Sequence, residues 1–135
     1  MATLTAVGAN SSGTVVLSNA QTGTGASTNT ADRGGGNGQV NPGTGAGTAL
    51  LTIVSTVGAT PTLTVDVQGS MDNSDWFNVA YATTAAPETP VVTSLTITTA
   101  TTNRLIMRAN QPWRFLRLSL SSNTNVTITA TLYVF

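Results

Sequence analysis

From residue 48 to the end of the chain, Leu, Val and Ile alternate with Thr and Ser. Residues 62–69 alternate strictly. Leu63, Val65 and Val67 fall on one side, and Thr62, Thr64, Asp66 and Gln68 on the other. That is the two-residue period of a half-buried strand. Residues 113–120 place Leu116, Leu118 and Leu120 in register, and residues 126–135 put Val126, Ile128, Ala130, Leu132 and Val134 on one face. Further strands are predicted over 49–57, 76–82, 91–99 (Leu95 with Ile97) and 105–109. Turns are predicted over 71–75, over 121–125, and over 83–90, which holds two prolines. No segment keeps a 3.6-residue period over a helix length. The fold class predicted is all-β: a single antiparallel β-sandwich, jelly-roll or immunoglobulin-like, with one apolar face per strand.

The first third of the chain reads differently. Residues 13–18 form a short strand pattern, and residues 2–7 a weaker one. Nine of the thirteen glycines lie between Gln21 and Thr48, where Val40 stands nearly alone as an apolar residue. Each glycine adds backbone entropy that folding must remove, and little here can offset it. The chain is therefore expected to divide at residue 48. Residues 1–48 would be N-terminal strands plus a flexible Gly/Thr-rich arm or loop, and residues 49–135 the β-sandwich core. A stretch this long inside a small domain is expected to contact a partner, with Asp32, Arg33, Gly34 and Val40 as contacts.

Composition narrows the function classes. A chain of 135 residues fits one domain. Charged residues make up only 7%, against roughly 25% in ordinary soluble domains. Arg33, Arg104, Arg108, Arg114 and Arg117 balance Asp32, Asp66, Asp72, Asp75 and Glu88, so the net charge is zero. Weak self-repulsion favours association, and a homo-oligomer (dimer or trimer) is expected. There is no His, Cys or Lys. A Ser-His-Asp triad is excluded, as are thiolate metal sites. The four Asp and one Glu show no pairing that would make a glycosidase, so no enzymatic activity is expected. Asp72-Asn73-Ser74-Asp75 could offer oxygens to Ca²⁺, but lacks the spacing of an EF-hand and reads as an Asx turn. The glycine runs at 34–38 and 43–47 do not fit a phosphate-binding loop, and no helix follows them. No cofactor or metal is therefore expected. No membrane partner is expected, since no apolar stretch approaches 18 residues, and no nucleic acid, since five Arg against five acids leave no electrostatic footprint.

The aromatic and Arg positions suggest contact. Arg104, Arg108, Arg114 and Arg117 gather late in the chain, with Trp113 and Phe115 interleaved. Arg114 shares parity with Leu116 and Leu118; Arg117 shares it with Trp113 and Phe115. These two are expected at subunit contacts or as cross-strand partners of Asp. Trp76 and Trp113 read as core or, alternatively, as a stacking platform for a glycan. Tyr133 and Phe135 fall opposite Val134, which leaves apolar area on both faces of the last strand, as where a neighbour covers the second face.

Residues 63–79, LTVDVQGSMDNSDWFNV, together with WRFLRLSL at 113–120 and VTITATLYV at 126–134, resemble a β-sandwich pattern of tailed-phage virion proteins. In that pattern a strand ending in Q-G-S is followed by an acidic/Asn turn, a Trp, and later an aromatic-R-x-x-R/L strand and a Thr-rich final strand. The resemblance covers roughly residues 62–135 and consists of framework residues, with no catalytic motif. It implies a structural virion protein, above all a capsid decoration (cement) protein binding the major capsid protein on the outer shell. The alternative it implies is a tail, fibre or baseplate module recognising a host glycan through Trp76, Trp113, Asp72 and Asp75. The N-terminus lacks the basic start and apolar run of a signal peptide. Synthesis in the host cytoplasm and residence on the virion are the expected locations.

Overall fold

The structure, a computed structural model, describes residues 3–6, 13–32, 49–107 and 113–134. Among these residues every regular element is a strand. In chain order they are β1 (Thr3–Ala6), β2 (Gly13–Gln21), β3 (Gly25–Ala26), β4 (Asn29–Asp32), β5 (Ala49–Ser70), β6 (Phe77–Asn78), β7 (Tyr81–Thr83), β8 (Ala86–Val91), β9 (Leu95–Ile97), β10 (Thr101–Met107) and β11 (Phe115–Val134).

Two long strands form the spine. β5 and β11 run antiparallel along their whole length, from Phe115 opposite Ser70 to Val134 opposite Ala49. The expected breaks at 58–61 and 121–125 do not end either strand. They survive as bulges in β11 between Leu120 and Ser122 and between Thr124 and Val126, with Thr60 and Asn125 at positive φ. The remaining strands add to the edges of this spine. β10 pairs the first half of β5, while β9 and β6 pair its second half. β2 pairs the second half of β11, while β3 and β4 pair its first half.

All eleven strands therefore belong to one hydrogen-bonded sheet, not to two separate sheets as the sequence pattern predicts. Nor is the sheet antiparallel throughout, because β1 lies parallel to β4. Chain geometry shows how one sheet makes a core. A straight 22-residue β5 would span about 70 Å. Yet Met107, opposite Ala49 at its start, is joined to Trp113, which packs on Gly69 near its end, by six peptide links. Those links reach at most about 23 Å. The spine must double back. It turns at the bulged middle, where strands cross a corner through bulges and bends. Asn125 Nδ2 donates to Ala59 O at 2.6 Å, and Asn123 Nδ2 to Thr22 O at 3.0 Å, tying the crossing segments together.

The core follows from strand parity. Leu51, Ile53, Leu63, Val65 and Val67 of β5 are buried, as are Leu116, Leu118, Leu120, Val126, Ile128, Ala130 and Leu132 of β11. Both halves of the spine feed a single apolar cluster. In β2 the alternation slips, so that Leu17 and Ser18 are both buried beside a register shift opposite Ala130.

Other expectations are corrected locally. Residues 83–90 are not simply a loop, because β8 occupies Ala86–Val91 at the end of the sheet, exposed throughout. Its two prolines are tolerated because an edge strand need not donate on its outer side. The strand predicted over 76–82 is split into β6 and β7, and that over 91–99 shrinks to β9. The segment expected to be a flexible arm is held in the sheet from Gln21 to Asp32. Ser27 N–H donates to Leu118 O at 2.8 Å, Ser27 Oγ accepts from Leu118 N–H, and Asn29 Nδ2 donates to Val16 O. Polar side chains anchor this stretch, so its low hydropathy concealed it. The rest of the expected arm, residues 33–48, lies outside the described residues.

Candidate partner-binding surface

The end of the spine where β5 meets β11 gathers most of the expected contact chemistry. Gln68, Gly69 and Ser70 close β5, and each has a distinct partner. Gly69 has the parity of the core residues, and a Cβ added there would come within 2.8 Å of three Trp113 atoms. The missing side chain is therefore the seat of the indole. Trp113 packs against the core cluster on one side and stacks on Phe77 on the other, centroids 5.7 Å apart. Ser70 Oγ donates to Asp72 Oδ1 at 2.9 Å and accepts Asp72 N–H. Gln68 points to the opposite face and accepts from Arg117 Nε at 3.0 Å. The Q-G-S residues thus reach Trp113, the turn and Arg117 through three separate contacts on the two faces of the strand end.

The Asp72 turn is an Asx turn. Its Oδ1 takes the backbone N–H of Ser74 at 2.9 Å and of Asp75 at 2.8 Å. The Asp75 and Ser74 amides, then the Ser70 hydroxyl, lower the Asp72 pKa from 3.8 to about 2. Among the described residues no group of three or more His, Cys, Asp or Glu is placed to hold a metal ion. The lowered pKa gives a sign. A carboxylate with a depressed folded pKa stabilises the fold above its unfolded pKa, and that stabilisation is lost as pH falls through the folded value. Asp72→Asn is therefore expected to leave an acid-unfolding curve with less loss of stability between pH 3.8 and about 2 than the parent shows. Urea midpoints measured across that range check it, and parallel curves for parent and variant would refute it.

Asp32 and Arg114 are expected partner contacts that the structure brings to each other. Asp32 is buried, and its carboxylate accepts from Arg114 Nε at 2.8 Å and from Nη2 at 2.9 Å. This bidentate pair raises the Arg114 pKa, mainly through the hydrogen bond. The Arg114 guanidinium also lies 4.9 Å from the Phe115 ring centre. The pair fastens β4 to the start of β11, so Asp32 serves the fold and does not face outward. Arg33, Gly34, Val40 and Phe135 lie outside the described residues.

Arg117 differs. Its guanidinium lies over Trp76, 4.1 Å from the ring centre, and burial lowers its pKa. Gln68 Nε2 in turn donates to Asn78 Oδ1 at 3.2 Å. Tyr133 lies on the outer face of the other half of the spine and is 39% exposed. It stands opposite Leu50, and next to it Thr131 lies opposite Thr52 and Thr129 opposite the exposed Val54. Among the exposed apolar residues that sequence reasoning missed, Met71, at 59%, and Phe77, at 55%, lie beside this end of the spine. Met71 sits in a turn and Phe77 in a two-residue strand, so neither has a periodic pattern to reveal its face. The two tryptophans do not make an open platform, because Trp113 is sandwiched between Gly69 and Phe77 and one face of Trp76 is covered by Arg117.

No protein-family model and no curated protein matches this chain. Among solved structures, the crystal structure of SPBc2 prophage-derived protein YomS has a similar fold, with a TM-score of 0.63. The match covers 93% of this chain and 94% of that one, at 10% sequence identity.

Proposed function

We propose that this chain is a structural protein of a phage particle, acting by surface contact and without catalysis. The observation that carries this is the near full-length fold likeness to a prophage-derived protein. Composition agrees. The chain has no His, Cys or Lys, and the carboxylates of Asp32, Asp66 and Asp72 are engaged by Arg114, Ser94 and the 70–75 turn. More finely, we propose that it decorates the outer capsid as an oligomer and reinforces the shell; the low charge and the exposed Tyr133 on the outer face of β11 support a broad contact of that kind. The mechanism is burial of a nearly uncharged β surface across shell subunits, which stabilises whatever state binds it. Quantitative mass spectrometry of purified particles tests both levels. A copy number comparable to the main shell protein is expected. A handful of copies per particle would replace the capsid placement with a tail or fibre one, and absence from particles would overturn the virion reading.

A further inference from the structure

Arg114 and Arg117 are three residues apart, and the fold treats them oppositely. Arg114 has its fork filled by the Asp32 carboxylate. Arg117 uses only Nε, toward the neutral Gln68, and has no carboxylate within ion-pair distance among the described residues. Its two Nη groups carry donors with no protein acceptor there. Neither is fully buried, since no buried side-chain polar atom among the described residues lacks a partner, and Arg117 as a whole is half-buried. Three contacts hold the fork in place: Trp76 beneath it, Gln68 at Nε, and Asn78 behind Gln68.

We propose that Arg117 is a preformed socket for a single carboxylate, an Asp or Glu side chain on a partner protein. A guanidinium held by stacking loses little further freedom when it binds, and its planar fork matches a carboxylate in two parallel hydrogen bonds. Trp and Arg are each enriched among the residues where binding energy concentrates at protein interfaces. The surroundings favour one carboxylate over a polyanion. Asp32 neutralises the neighbouring Arg114. Asp66, two residues from Gln68 on the same strand face, adds negative charge nearby, with its carboxylate bound by the Ser94 hydroxyl. Nucleic acid gains affinity by engaging several cations at once, and among the described residues of β11 Arg117 stands without a second unpaired Arg beside it. The socket rests on this local geometry and not on the virion reading, and its test needs no particle.

The test is a titration of the full ¹⁵N-labelled chain, following Arg side-chain resonances, with three separate probes: acetyl-glutamate N-methylamide, inorganic phosphate and a short thymidine oligonucleotide. Arg104, exposed on β10, is the internal control. The expected result is a saturable shift at Arg117 with the glutamate probe, at several-fold lower concentration than at Arg104. Trp76 fluorescence should follow the same curve. Arg117→Lys should abolish that fluorescence response while the variant keeps the parent's far-UV circular dichroism spectrum, because an ammonium cannot form the two-bond fork. Equal shifts at Arg104 and Arg117 would overturn the proposal. So would phosphate or the oligonucleotide acting on Arg117 at lower concentration than the glutamate probe.

Discussion

Gly69→Ala is expected to destabilise the fold by about 1–3 kcal/mol, the range for overpacking a filled site. The added methyl would meet Cβ, Cγ and Cδ2 of Trp113, all within 2.8 Å. These atoms are the root of the side chain, so rotating its far end gives no relief. The indole must leave its seat, which breaks the Phe77 stack and exposes core below. Measured in a Trp76→Phe background, the emission of Trp113 should shift to the red together with the fall in unfolding midpoint. A double-mutant cycle sharpens the result: with Trp113→Ala already present, Gly69→Ala should be close to neutral. An unchanged midpoint and unchanged emission in the single variant would show that the indole is not seated on Gly69.

Leu132→Ala is expected to cost about 2–5 kcal/mol, as for other fully buried Leu truncations. Leu132 is completely buried, and it lies opposite Leu51 on one side and Val15 on the other. It also tests whether the doubled-back sheet unfolds as a unit. Both tryptophans belong to the other half of the spine, near Ser70 and Phe115. If the two halves share one core, Trp fluorescence and far-UV circular dichroism must report the same lowered midpoint. A fluorescence transition that stays at the parent midpoint, while circular dichroism moves, would mean that the halves unfold independently.

Much of the buried face was legible beforehand. In β11 the expected inward residues Leu116, Leu118, Leu120, Val126, Ile128, Ala130 and Leu132 are all buried, while Phe115, of the opposite parity, is buried as well and the side chain of Val134 lies outside the description. In β5 the expected Leu63, Val65 and Val67 are buried, as are Leu51 and Ile53 in its first half. Strand ends were less legible. Gly58, Pro61 and the Ser/Asn run at 121–125 are turn-forming residues, and on local propensity they ended strands. Cross-strand pairing overrode that propensity, so the breaks became bulges. The segment from Gln21 to Asp32 looked mobile for a similar reason. Its anchors are Ser27, Asn29 and Asp32, and their partners are Leu118, Val16 and Arg114, which no local pattern connects. Of the expected contact residues, Asp32 was read as a partner contact on the arm and Arg114 as a subunit contact or a cross-strand partner of an Asp; the structure pairs the two with each other.

By itself the sequence determined the all-β class, the inward face of each long strand and the poverty of catalytic side chains. A two-residue period assigns every residue to a face whatever the strand later pairs with, and composition needs no fold at all. Only the tertiary structure decided that the strands form one folded sheet, that Gly69 is the seat of Trp113, and which Arg is filled and which is open. Asp32 meets Arg114 across 82 positions of sequence, and Gln68 meets Arg117 across 49. At such separations a polar residue's partner is set by strand order and register, which local pattern does not encode.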